Sequence, residues 1–443
     1  MPHHTLTALL ASCLLAAVAS AQDLGIKAPP QSRPIAIKNA TIHPISAEPI
    51  EGGVIVFDKG VIVALGTADK IHLPNGTEVI DAKGKHVYPG LISSYSQLGL
   101  TEFPPVRQTV DFAETGNVTP EARAVAAINP DSTLLPVTRA AGVLVGAIFP
   151  TGGTISGQVA VVNFDGWTWE EMAITQNAGL SINWPNARPV TAWWNTTPRD
   201  EQVKRIREQL QSLGDTFTAA LAYRDHTPDQ SDIRLAAMQD VLPPAGESRV
   251  AQKPVFIRAS DADQISQGVA WAIERQLKPI IVGGRDARLC VELLKKHDVP
   301  VIVLNTHSLP RRDDSPYEEG YTLPRDLQAA GVRWSLACGD DTAHERNLAH
   351  HAASGLPFGL SPDDALRGIT LSAAQILGVD SSIGSLAPGK AATLIVTTGT
   401  PLELTSAVTN AFINGRAIDL SSKHTKLNEK YRERYKQMGL IRE

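Results

Sequence analysis

Residues 254–304 read PVFIRASDADQISQGVAWAIERQLKPIIVGGRDARLCVELLKKHDVPVIVL. Three short apolar runs, at 254–258, 279–282 and 299–304, are bounded by turn-forming residues. Runs of this length, apolar on both faces, have the pattern of strands buried inside a parallel sheet. The intervals between them, 263–275 and 286–296, read as helices. Parallel neighbours need a crossover of about a dozen residues, and these helices supply it, so the stretch predicts an α/β domain.

The same pattern extends in both directions. Apolar runs at 142–149, 159–164 and 332–337 are expected to be further parallel strands. Thr197-Pro198-Arg199-Asp200 opens a helix with proline at its first position, and Val203, Ile206, Leu210 and Leu213 share one face of it. Ser361-Pro362-Asp363-Asp364 caps another, expected to run to Leu377. Across about 88–385 the size and the repeated strand–helix order predict a TIM-like (β/α)8 barrel rather than an open sheet.

On either side of this domain the pattern changes to β. Val54-Ile55-Val56-Phe57 and Val61-Ile62-Val63-Ala64-Leu65 flank Asp58-Lys59-Gly60, a hairpin signal. Strands at 392–397 and 408–413 follow the barrel, with Asn414-Gly415 as a turn. Neither piece is large enough for a core of its own, so the two are expected to form one small β-sandwich. The expected organisation is a signal peptide at 1–21, a proline-containing linker at 22–34, the first part of the sandwich at 35–87, the barrel at 88–389, the second part at 390–420, and a helical tail at 421–443. In that tail Leu427, Tyr431 and Tyr435 recur at helical spacing, which predicts a surface helix docked by a thin apolar stripe.

Composition narrows the function classes. Of 443 residues, 43% are hydrophobic and 20% charged, and the net charge is -5. That is ordinary for a globular protein, and with no basic patch nothing points to nucleic acid, which is not an expected partner. The expected partners are a small-molecule substrate or ligand and, as an open option, a second copy of the chain. An apolar run from Leu6 to Val18 ends in Ala19-Ser20-Ala21, the form of an export signal. The expected location is periplasmic or secreted; Leu10-Ala11-Ser12-Cys13 has a lipoprotein form but ranks second because the apolar run continues past it. No other stretch is long and apolar enough for a transmembrane helix. Cys290 and Cys338 are expected to be buried thiols. The tryptophans Trp167, Trp169, Trp184, Trp193 and Trp194 are expected to pack under a long loop, with the lining of a substrate cleft as the second reading.

Three segments resemble the amidohydrolase superfamily, with imidazolonepropionase-like enzymes as the nearest subgroup. Val87-Tyr88-Pro89-Gly90-Leu91-Ile92 is similar to that family's passage from the β-module into the first barrel strand. Asp364-Ala365-Leu366, Thr370, Ala373-Ala374 and Ile376-Leu377-Gly378 resemble the helix after the last barrel strand. Residues 383–392, IGSLAPGKAA, resemble the return into the β-module. The resemblance implies a barrel with a split sandwich, and hydrolysis of carbon–nitrogen bonds other than peptide bonds, such as those of cyclic amides.

Its metal motifs are depleted here. Where the family has a His-x-His pair, this chain has Tyr95 and Gln97. Where it has a basic or histidine residue ending a middle strand, this chain has Arg258, and Gly283 stands at a further histidine position. Arginine stays protonated and cannot ligate a metal. The resemblance makes Asp340 a metal ligand and the general base, with Asp341 in reserve; its alternative role is an ion pair with Arg258. Tyr95, Gln97, Arg258 and His307 are the expected substrate-binding residues. A substitute site for one divalent metal such as zinc is conceived on Asp340 and His344, with His350 and His351 nearby in sequence; no metal at all is the other expectation. Two functions stay open: a hydrolase with an atypical site, or an inactive relative that binds a ligand or partner.

Overall fold

The computed structural model describes residues 23, 25–226, 230–244 and 252–441. The expected export signal and Cys13 lie outside the described residues. Eight strands make the central sheet: β6 (Leu91–Ser96), β7 (Val143–Ile148), β8 (Ile155–Asn163), β9 (Ala173–Asn183), β10 (Val255–Ala259), β11 (Pro279–Gly283), β12 (Val301–Leu304) and β13 (Trp334–Ala337). Sequence neighbours are spatial neighbours throughout. Every residue of β6, β7, β11 and β13 is buried, as the apolar runs require.

The sheet is not all parallel, which corrects the (β/α)8 expectation in one sector. β6–β7 and the pairs from β9 to β13 are parallel, but β8 runs antiparallel to both β7 and β9. The cause is loop length. Only residues 149–154 separate β7 from β8, too few for a crossover, so the chain turns back as a hairpin. β9 had no counterpart in the sequence reading: Thr175, Gln176 and Asn177 interrupt its apolar pattern, and only residues 178–182 are continuously buried.

β13 and β6 are the two ends of the hydrogen-bonded order. They meet through side chains. Ser94 Oγ donates to the Leu336 carbonyl at 3.0 Å, and Ser335 Oγ donates to Ser94 Oγ at 2.9 Å. The result is a nearly closed barrel whose seam lies between these strands.

The second sheet takes strands from both ends of the chain. β1 (Ile35–Ile42), β2 (Ile50–Asp58), β3 (Val61–Thr67), β4 (Glu78–Asp81) and β5 (His86–Pro89) precede the barrel; β14 (Leu394–Thr397), β15 (Val408–Ile413) and β16 (Arg416–Ala417) follow it. Their order is β16-β15-β14-β5-β1-β2-β3, with β4 on β1. β5 and β14 join the halves, antiparallel, with Val396 opposite Val87. The sheet folds back on itself: Phe57 of β2 and Phe412 of β15 pack edge-on at 5.0 Å although three strands lie between theirs in the order. Ile37, Ile42, Ile55 and Leu394 share that core.

Three local expectations change. The helix opened by Ser361 breaks at Thr370 into Pro362–Gly368 and Leu371–Ile376. The C-terminal helix Lys423–Gln437 has no buried residue, and Leu427, Tyr431 and Tyr435 are 48%, 45% and 44% exposed, so the apolar stripe is not docked as expected. Trp184 is buried against Trp271, but Trp167, Trp193 and Trp194 are exposed rather than packed under a loop. Cys290 and Cys338 are buried free thiols. Among the described residues no helix is long and apolar enough to cross a membrane.

The reversed sector depends on one close approach. Gly146 in β7 faces the ring of buried Phe164, and a Cβ added there would sit 2.2 Å from Phe164 Cζ. Gly146→Ala is expected to destabilise the protein by about 1–3 kcal/mol through overpacking. Urea denaturation read by tryptophan fluorescence tests this, and an unchanged midpoint would refute the packing argument.

Candidate functional site at the barrel mouth

The C-terminal ends of parallel barrel strands face one rim, where side chains project into the mouth. Tyr95 near the end of β6, Arg258 near the end of β10 and Asp340 just after β13 meet there. The Tyr95 hydroxyl donates to Asp340 Oδ1 at 2.7 Å. Arg258 Nη1 donates to the Tyr95 oxygen at 3.0 Å, and Arg258 Nη2 donates to Asp340 Oδ2 at 2.5 Å. The guanidinium also lies over the Tyr95 ring, 5.7 Å from its centroid.

The aromatic core fixes this triangle. Tyr95 is 1% exposed and packs on Phe149 at 4.7 Å, which meets Phe256 edge-on at 5.1 Å. A buried phenol needs a partner for its hydroxyl, and Asp340 supplies one. Burial holds the Tyr95 phenol protonated, far above the usual phenol range; Arg258 works against that shift and Asp340 adds to it. Burial disfavours the Arg258 charge, but Tyr95 and Asp340 outweigh it and raise its pKa further. The Asp340 side chain is 53% exposed, so the carboxylate also faces the mouth.

The other expected site residues are placed differently. Gln97 is buried and donates from Nε2 to Thr151 Oγ1 at 3.2 Å. Gly283 lies opposite Ala259 in the β10–β11 register, with φ +101°, and brings no side chain to the rim. Asp341 caps the short helix Thr342–Asn347 by accepting from the Ala343 amide, and its Oδ2 lies 2.5 Å from His344 Nδ1. His344 therefore pairs with Asp341 and not with Asp340. His307 stacks on His351 at 4.0 Å and has no hydrogen bond, ion pair or ring contact with Tyr95, Arg258 or Asp340. His351 is held by Thr306, whose hydroxyl lies 3.1 Å from Nδ1. Burial, then the neighbouring His307, His350 and His344, lowers its pKa to about 4, which keeps it neutral.

A divalent ion requires several imidazole, thiolate or carboxylate donors around one point. Among the described residues no group of three or more His, Cys, Asp or Glu is placed to hold one. At the rim the available groups are a protonated phenol, a guanidinium and a carboxylate already holding both. The residues present do not fit a metal there.

The rim opens into a cleft of about 460 Å3, lined by Thr151, Asn183, Arg258, Ser260, Arg285 and Arg311 among others. A larger cleft of about 940 Å3 lies between the helices Arg199–Asp225 and Ala262–Glu274. Position rather than size singles out the mouth, because Arg258 of the triangle forms part of its wall.

A scan against family models matches the Amidohydrolase family over residues 278–418. Amidohydrolase tasK of Hapsidospora irregularis is 20% identical over 436 residues, covering 87% of this chain. The chain spans 43% of that relative's length. The crystal structure of an amidohydrolase from Thermotoga maritima MSB8 matches with a TM-score of 0.74 at 24% identity, covering 87% of this chain and 99% of that one. Phenylurea hydrolase B matches with a TM-score of 0.51 at 15% identity, covering 87% and 97%. Residues 278–418 thus match that family, and the fold as a whole is similar to that of an amidohydrolase of known structure.

Within this amidohydrolase fold one buried acid was not visible in the sequence. Glu345 is 0% exposed, and neither carboxyl oxygen has a hydrogen-bond partner among the described residues. It sits in a polar run, 340–347, whose composition reads as a surface loop. Arg285 was missed too, although its place directly after Gly283-Gly284, at the C-terminal end of β11, is a position that points to a site.

Burial raises the Glu345 pKa to about 8; the nearby Ser93 and Ser96 hydroxyls oppose this and Asp341 adds to it. Those hydroxyls have other bonds: Ser93 Oγ donates to the Tyr95 carbonyl and Ser96 Oγ accepts from the Leu98 amide. An acid whose folded pKa lies above its unfolded value stabilises the fold below the unfolded pKa, here 4.5, and loses that contribution as pH rises toward 8. Glu345→Gln removes the titration. The variant is expected to melt above the wild type at pH 8, with a gap that narrows toward pH 5. Parallel melting curves across that range would show that Glu345 is not held neutral by burial.

Proposed function

We propose that this chain is a hydrolase of small-molecule carbon–nitrogen bonds other than peptide bonds, such as those of cyclic amides, working through Asp340 and Arg258 with the family's metal site depleted. The observation that carries the reading is the position of Asp340: a half-exposed carboxylate at the end of a barrel strand, held by a fixed cation on the wall of the mouth cleft. The family supports the reaction class, and the names of structural relatives such as phenylurea hydrolase B are in keeping with it.

The chemistry follows from the three groups. Water in the cleft attacks the carbonyl carbon and loses its proton to Asp340. The developing oxyanion is stabilised by the Arg258 guanidinium, a preorganised charge that needs no reorientation. When the carbon–nitrogen bond breaks, Asp340 returns the proton to the leaving nitrogen, which leaves a carboxylic acid and an amine, on one ring-opened molecule where the amide was cyclic. Tyr95 positions Asp340 through its hydroxyl bond.

A second reading is favoured by one specific observation. Each carboxylate oxygen of Asp340 already accepts a hydrogen bond from inside the protein, which suits a structural ion pair beneath a binding cleft. A hydrolysis screen over cyclic amides, ureas and N-acyl amines separates the readings. Wild-type protein dialysed against a chelator is expected to retain its activity, and Asp340→Asn is expected to lose about 10²–10⁴-fold, the range of a removed acid–base group. Activity that survives Asp340→Asn excludes this base, and activity abolished by the chelator excludes the metal-depleted mechanism. Turnover of no substrate in the panel would favour the binding role.

A further inference from the structure

Three arginines line the mouth cleft, Arg258, Arg285 and Arg311, and ion pairs within the protein engage two of them. Arg258 pairs with Asp340 at 2.5 Å and Arg311 with Asp261 at 3.5 Å. Arg285 lines the same cleft as Arg258 and Arg311. Its Nη2 donates to the Leu309 carbonyl at 2.5 Å, and among the described residues no carboxylate lies within ion-pair range of it. A guanidinium presents five N–H donors in a planar fork, so most of this one remains uncommitted. Asn186 and Ser260 line the cleft with side-chain donors that no other described residue uses.

We infer that the mouth cleft receives the carboxylate of an amide-bearing small molecule, and that Arg285 is the residue that binds it. The charge count selects the ligand. One unmatched cation suits a single negative charge, and the guanidinium edge matches a planar carboxylate by two parallel hydrogen bonds. Arg258 on the same wall then brings the remainder of the molecule beside Asp340. The inference deepens the hydrolase reading by naming the substrate class, and it rests on that reading's choice of the mouth as the site.

Titration calorimetry with N-acetylglycine and its uncharged counterpart N-acetylglycinamide tests it in the full chain. The acid is expected to bind at least about tenfold more tightly than the amide, the worth of one charge-assisted hydrogen bond. Arg285→Met is expected to erase that preference, with amide binding unchanged. Arg285→Lys, which keeps the charge without the fork, should restore part of it; circular dichroism checks that both variants fold. Equal binding of acid and amide by the wild type overturns the inference, as does a preference that survives Arg285→Met. A folded Lys variant indistinguishable from Met overturns it as well. Repeating the titrations with Asp340→Asn separates heat of binding from heat of turnover, so the two proposals fail separately. A chain that prefers the acid but hydrolyses nothing sinks only the hydrolase, and hydrolysis without acid preference sinks only this site.

Discussion

The arrangement at the barrel mouth depends on the burial of one phenol. Tyr95 fills the aromatic core between β6 and β10, and its hydroxyl has to be satisfied away from water. Asp340 accepts from it, and Arg258 balances the carboxylate and donates to the phenol oxygen. Removing Asp340 would leave the buried Tyr95 hydroxyl without an acceptor, so the phenol and the carboxylate depend on each other. Their placement gives the unit a mechanical role. β6 and β13 flank the seam, where the sheet's hydrogen-bonded order ends and serine hydroxyls make the bridge. Arg258 reaches both from β10, so the same contacts that shape the site also tie the seam to the far wall of the barrel.

A structural triangle can therefore do chemical work only with what its structural role leaves over. The phenol is committed, held neutral by burial. The guanidinium keeps its charge under all conditions in which the protein folds. Asp340 is the half-exposed member beside the Arg258 wall of the cleft, with lone pairs beyond the two that its partners occupy. Arg285 differs from all three because its position is set by a single backbone carbonyl. On the proposed reading, that contrast gives chemistry to the saturated cluster and recognition to the unsaturated cation.

Much of this was legible in the sequence where strand periodicity is strong. The runs at 254–258, 279–282 and 332–337 became β10, β11 and β13, and the strand-end rule placed Tyr95, Arg258 and Asp340 on one rim before any coordinates. The ion pair between Arg258 and Asp340, weighed as the alternative to catalysis, is present. The reversed β8 was hidden because its apolar run carries no mark of direction; only the short loop at 149–154 reveals the hairpin. β9 was hidden by its polar first half. The burial of Glu345 depends on how a short helix packs beneath β6, which local composition does not encode. His307 and His344 were drawn toward the site by their place in sequence, yet stacking on His351 and pairing with Asp341 hold each elsewhere.

On the proposed reading an internal guanidinium acts where a metal otherwise would, and this limits what the site can do. A bound divalent ion both polarises the substrate carbonyl and lowers the pKa of an attacking water toward neutrality. A guanidinium performs the first task, as a fixed positive charge beside the developing oxyanion, but it cannot coordinate water and so cannot perform the second. On the proposed reading all activation of water then falls to Asp340, a carboxylate shared with two donors. Such a site suits substrates whose carbonyl is already electrophilic, as in a strained ring, and it gains most from holding the substrate still. The unmatched charge of Arg285, set into the same wall as Arg258, is the feature of the mouth best placed to provide that hold, because orientation at a rigid rim replaces part of the barrier that metal chemistry would otherwise lower.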